Sequence, residues 1–152
     1  MSGYEENDVQ IVNPGESVIF TQASAPCQRG FVRHRNGTGN FLLSGWVPSR
    51  CGCRNKSASY LVDFGANISI PEGGTVEAIS LAFTIDGATV PASSMIVTPA
   101  AVDEYFNVSR AINVDVWRGC CETFTIRNTS SQAIQVQNAN VIISRPDLAV
   151  TY

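Results

Sequence analysis

Apolar residues return at every second position along most of this chain. In "AINVDVW", residues 111–117, Ile112, Val114 and Val116 share one face while Asn113 and Asp115 take the other. Side chains that alternate in this way belong to a half-buried strand. "ETFTIRN" at 122–128 repeats the pattern, with Phe124 and Ile126 facing in and Thr123, Thr125 and Arg127 facing out. Similar alternation runs through "ESVIFTQ" (16–22), "GNFLLSGW" (39–46), "ASYLVDFGANISI" (58–70), "VEAISLAFTIDG" (76–87), "ATVPASSMIVT" (88–98) and "QAIQVQNANVIIS" (132–144). It places Phe20, Phe41, Phe64, Phe83 and Phe124 on inner faces, so these aromatics read as core.

Turn residues separate these runs. In "TIDGATV" the pair Asp86-Gly87 falls between two of them, and a type I′ hairpin turn needs positive φ at both central residues, which such pairs tolerate. "IPEGGTV" and "RNGTGN" supply further turns. One stretch breaks the two-residue period: "TPAAVDEYFNV", 98–108, where Thr98 as cap and Pro99 at the first helical position predict a turn or two of helix. The whole pattern predicts an all-β chain, an antiparallel sandwich of about eight to ten strands. Residues 1–14 carry only Val9, Ile11 and Val12 as an apolar patch. They are expected to form an N-terminal arm, either loose or an edge strand that docks on a neighbour.

Composition narrows the function. At 152 residues the chain suits one domain with a proper core. Only 15% of residues are charged and 44% are hydrophobic, with much of the remainder Ser, Thr, Asn, Gln and Gly. A surface so poor in charge is a packing surface, and Gln135, Gln137 and Asn140 mark a polar strand face suited to a subunit interface or a ligand. The net charge is −3, and the basic run "RGFVRHR" at 29–35 is short, which argues against nucleic acid as a partner. No apolar run reaches the roughly 18 residues of a membrane helix. The opening "MSGYEENDVQIVNPG" is acidic and polar, so synthesis in the cytoplasm without a signal peptide is expected.

Candidate chemistry is sparse. Five cysteines, Cys27, Cys51, Cys53, Cys120 and Cys121, leave an odd thiol within the chain. The spacings "CGC" and "CC" are too tight for a tetrahedral zinc site, so no metal is expected. Two readings stand for the cysteines: burial as small hydrophobes, or disulfides between subunits, favoured at "SRCGCRNKS" by the flanking Arg50, Arg54 and Lys56. His34 is the sole histidine and reads as an ordinary strand or turn residue. Asp103 and Glu104 are sequence neighbours, unable to flank a cleft as a glycosidase pair does. No enzymatic activity and no cofactor are expected.

The order of "GESVIFTQ", "HRNGTGNFLLSG", "ASYLVDFGANISIPEGGTVEAISLAFTIDGATVP" and "INVDVWRGCCETFTIRNTSSQAIQVQNANVIIS" resembles a known family over about residues 15–145. It is similar to the C-terminal domain of collagen-like exosporium glycoproteins of spore-forming Firmicutes and to head-fibre or decoration proteins of their phages. These are jelly rolls of the tumour-necrosis-factor and complement type. The resemblance implies a jelly-roll domain over 15–152 and a homotrimer with no enzymatic activity, located on a spore surface or a virion and attached to a spore layer or capsid shell. Aromatic type and position suggest Tyr105, Phe106, Trp117 and Tyr152 for the subunit interface. Two features depart from the family: there is no Gly-X-Y stalk before the domain, and the cysteines are not part of its pattern. A binding module for glycan or protein, using the end loops of the sandwich, is the alternative function.

Overall fold

The computed structural model describes residues 2–25, 30–47 and 57–146. Among these, twelve strands form: β1 (Ser2–Glu6), β2 (Gln10–Val12), β3 (Gln22–Ala25), β4 (Val32–His34), β5 (Phe41–Gly45), β6 (Ser57–Ser69), β7 (Ile79–Ile85), β8 (Ala88–Thr89), β9 (Met95–Val97), β10 (Phe106–Trp117), β11 (Gly119–Asn128) and β12 (Ile134–Ser144). The first sheet has the order β10-β6-β12-β1-β3, with β2 also on β12. The second has the order β4-β5-β11-β7-β8, with β9 also on β7. Every pairing is antiparallel. The result is a two-sheet sandwich of jelly-roll type.

The strand β6 shows why this sequence builds it. Ala58, Tyr60, Val62, Phe64, Ala66 and Ile68 are all buried, and the residues between them turn away from the core. Val136, Val141 and Ile143 of β12 and Val108, Val114 and Val116 of β10 meet the same core. From the second sheet come Phe41, Leu43, Leu81, Phe83, Phe124 and Ile126. The five phenylalanines expected inside are all buried. Phe41 is central among them, with ring centroids 5.0 Å from Tyr4, 5.3 Å from Phe20 and 6.3 Å from Phe124, in tilted or edge geometries that aromatic quadrupoles favour.

The Asp86-Gly87 turn has φ of +51° and +84°, as a type I′ hairpin requires. Asp86 also accepts the Thr123 N–H at 2.8 Å, which fastens the hairpin to β11. At Gly39 a different constraint acts: a Cβ there would run into the Val18 carbonyl oxygen, so only glycine fits.

Four expectations need correction. Residues 98–105 form turns, not helix; Asp103 takes φ +58° and its N–H donates to the Ile70 carbonyl at 2.8 Å. A 3-10 turn forms at Pro91–Ser93, where proline breaks "ATVPASSMIVT" into β8 and β9. "ESVIFTQ" buries Val18 and Phe20 as the alternation requires, but crosses to the second sheet through single bridges, Ser17 to Arg127 and Phe20 to Thr38. Thr125, expected outside, is buried and hydrogen-bonds to Thr84 across β7 and β11.

The largest correction concerns residues 1–14. The expected arm is part of the sandwich: β1 lies inside the first sheet between β12 and β3, and β2 pairs with β12. Tyr4 is buried and Val12, opposite Ile134, is 2% exposed, so Val12 belongs to the core and is not free to dock elsewhere. No helix among the described residues is long and apolar enough to cross a membrane.

The aromatic centre predicts a large effect of one truncation. Phe41→Ala lowers unfolding free energy by about 3–5 kcal/mol, measured by denaturant titration, whereas Ile96→Ala, at an exposed position on β9, changes it little.

Candidate functional site

The period that fills the core also sets the chemistry of the opposite face of the first sheet. On β6 the outward residues are Ser59, Leu61, Asp63, Gly65 and Asn67. Beside them β10 presents Asn107, Ser109, Ala111, Asn113, Asp115 and Trp117 in register. Strand β12 adds Gln135, Gln137, Asn140, Ile142 and Ser144. Asp63 and Asp115 are the charged residues among these positions, and no lysine or arginine stands there. Leu61 lies opposite Ser144 and Ile142 opposite Asp63, so the two apolar side chains are diagonal neighbours on the open face.

A bulge brings the β12 amides into line. Gln135, Gln137 and Asn140 do not share one parity in sequence, yet the register shifts between Gln137 and Asn140, and Asn138 takes φ +54°. The extra residue returns Asn140 to the outer face and leaves Ala139 buried. Asparagine suits this position because it tolerates the left-handed region.

Four asparagines then form a relay across the sheet. Asn107 Nδ2 donates to Asn67 Oδ1 at 3.1 Å, Asn67 Nδ2 to Asn138 Oδ1 at 3.4 Å, and Asn138 Nδ2 to Asn7 Oδ1 at 3.4 Å. Gln135 Nε2 adds bonds to Ser69 Oγ at 3.0 Å and Asp103 Oδ1 at 2.7 Å. The relay holds β10, β6, β12 and the β1–β2 connection in one polar layer, with each amide oriented by the next.

The expected interface aromatics do not come together. Trp117 is 69% exposed at one end of β10 and lies on the outer face. Phe106 begins the same strand opposite the buried Ile68, so it lies on the core-facing side at the other end. Eleven strand steps, about 36 Å, separate them. Tyr105 sits in the turn before Phe106, partly exposed, and Tyr152 lies outside the described residues. The N-terminal docking trio is likewise divided: Ile11, opposite Gln135, joins the outer face, Val9 is exposed between β1 and β2, and Val12 is core.

Of the cysteines, Cys27, Cys51 and Cys53 lie outside the described residues, and Cys120 is described only as backbone in β11. Cys121 is an exposed free thiol. His34 is held among aromatics, its ring stacked on Phe41 at 4.5 Å and 4.9 Å from Tyr4. Its Nε2–H donates to the Thr38 carbonyl at 2.9 Å, and Nδ1 is buried without a partner. Among the described residues no three His, Cys, Asp or Glu side chains gather as a metal site would require.

Glu122 lies opposite Leu43 on the core-facing side of β11. Desolvation, then the nearby Asp86 carboxylate, raise its pKa above the ordinary glutamate value of 4.5.

With this geometry the chain is similar to a number of solved structures, among them these three. A tumour-necrosis-factor protein, Eiger of S. frugiperda, matches with TM-score 0.65 and 11% identity over 95% of this chain and 90% of that one. The globular domain of zebrafish complement 1qA protein matches with TM-score 0.59 and 12% identity, covering 93% and 94%. Murine APRIL matches with TM-score 0.51 and 14% identity, covering 92% and 97%. The fold is therefore the jelly roll of the tumour-necrosis-factor and complement type. No protein-family model matches the sequence, and no curated protein matches it as a relative.

Two measurements test these local readings. Asn138→Ala is less stable than Asn138→Gly by about 1 kcal/mol, because only glycine takes the positive φ without steric cost; equal stabilities would remove the strain argument. A glutamate with a raised folded pKa contributes most stability below about pH 4.5, and that contribution is lost as pH rises through its folded pKa. Glu122→Gln therefore melts above the parent at pH 7 and together with it at pH 4, read by thermal scans at both values.

Proposed function

We propose that this protein is a non-enzymatic structural protein that self-assembles as a homotrimer through the outer face of its first sheet and coats or projects from a particle. The observation that carries this reading is the composition of that face. Its serines, asparagines and glutamines, with the Asp63 carboxylate opposite Ile142, surround Leu61 and Ile142, and no lysine or arginine stands among the outward positions of β6, β10 and β12. Lysine is depleted at protein interfaces, whereas an ordinary solvated sheet face carries it. The relay strengthens the case, because amides fixed by one another lose little freedom when a partner covers them.

The particle is a bacterial spore surface or a phage virion. This part of the proposal rests on the sequence resemblance set out above, which joins stand-alone jelly rolls to both settings. The exposed Cys121 thiol suits a later covalent link between subunits once the particle meets an oxidising environment.

The native mass, measured by light scattering with and without reductant, tests the assembly. Three chains per particle are expected in both conditions, and a monomer in both would overturn the reading. Ile142→Arg is expected to give a folded monomer, since Asp63 lies opposite and compensates the new charge within the chain.

A further inference from the structure

The short basic run noted in the sequence has a place on the other side of the molecule. Arg33 projects outward from β4, opposite Leu42 of β5, and Arg35 follows two residues on, also exposed. Along β5 the positions Leu42 and Ser44 share this outer face, and Trp46 continues the line. Two open depressions of about 410 and 490 Å³ and a smaller one of about 130 Å³ meet here, and Arg33 lines all three. Together they form a groove on the second sheet, turned away from the face assigned to assembly.

Trp46 is held as a platform at one end of this groove. Its ring stacks on Phe31 at 5.5 Å and 21°. The Trp46 backbone N–H donates to Ser44 Oγ at 3.1 Å, and its backbone carbonyl accepts from Arg145 Nη1 at 3.0 Å. Arg145 is itself buried, with its guanidinium 4.9 Å from the Phe31 ring centre and 5.0 Å from that of Tyr60. The Trp46 side chain nevertheless remains 51% exposed. A large aromatic that is fixed from behind and open in front is preorganised to receive a flat apolar surface.

We propose that this groove binds a short acidic oligosaccharide, with one sugar ring stacked on Trp46 and a carboxylate paired with Arg33. The apolar face of a sugar ring fits an indole, and guanidinium recognises carboxylate through two parallel hydrogen bonds. Further along, Thr38, Asn40 and Thr123 offer neutral donors and acceptors for hydroxyl groups. No carboxylate stands among the described lining residues, and Asp86, which borders them, accepts the Thr123 N–H. Among the described lining residues, two arginines on a chain of net charge −3 do not suit a long polyanion, and one exposed indole does not suit a run of bases.

Calorimetric titration of the intact protein with a galacturonic-acid trisaccharide tests this, beside a neutral galactose trisaccharide and a short single-stranded oligonucleotide. Saturable binding of the acidic sugar is expected, at least about tenfold tighter than of the neutral one and weakened by salt. Arg33→Gln and Trp46→Ala are each expected to weaken it by about tenfold or more. Arg33 is exposed on an edge strand, so its variant keeps the parent's melting temperature. No saturable heat at about 5 mM sugar, equal affinity for the neutral sugar, tighter binding of the oligonucleotide, or full affinity in both variants would each overturn the proposal. The assembly mass does not enter any of these outcomes, so failure here is separate from failure of the trimer.

Discussion

The two-residue period of β6 is the constraint on which most of this structure depends. Twelve residues of alternation, 57–68, bury one set of side chains and turn the other set away. Slipping the register by one residue would send Tyr60, Val62 and Phe64 to the surface and Leu61, Asp63 and Asn67 to the core. Because β10 and β12 pair with β6 along most of its length, they inherit its register and therefore its choice of faces. The aromatic centre and the charge-poor outer face are two consequences of one pattern.

That link explains which features could be read from sequence. Alternation locates a strand and its inner face whenever the strand is long and straight, as in β6, β10 and β11, and the buried phenylalanines followed from it directly. The Asp86-Gly87 hairpin was legible for a local reason, since the turn's φ values restrict its residues. The polar face containing Gln135, Gln137 and Asn140 was legible as composition, but its alignment needed the bulge at Asn138, which no periodicity announces.

Other features depend on partners far away in the chain. Strand β1 has almost no apolar period, and it is held by main-chain bonds to β12 and β3 and by the burial of Tyr4. A strand stabilised from both sides needs little hydrophobic signal of its own, so residues 1–14 read as an arm until the sheet order is known. Trp117 and Phe106 show the complementary difficulty. Both are aromatic and both belong to β10, yet eleven steps put them at opposite ends and on opposite sides. Residue type alone points to an interface without saying which one. The Trp46 platform was hidden for the same reason, because Phe31, just before β4, and Arg145, just after β12, reach it only in the folded chain.

The two outer faces differ in the chemistry they offer a partner. The first carries the carboxylates of Glu5, Asp63 and Asp115 but no lysine or arginine at the outward positions of β6, β10 or β12, with its amides satisfied by one another and its apolar side chains close together. Covering its self-satisfied amides and its apolar side chains removes little that water had solvated strongly, so a second copy of the chain is a suitable occupant of that part of the face. The second face carries Arg33, Arg35 and an open indole, groups that remain soluble when uncovered and gain most from a small, oppositely charged ligand. An assembly built through the first sheet leaves the second facing outward on every subunit. Several copies of a weak groove then point away from one particle, and weak sites presented together bind an extended target far more firmly than any one of them alone.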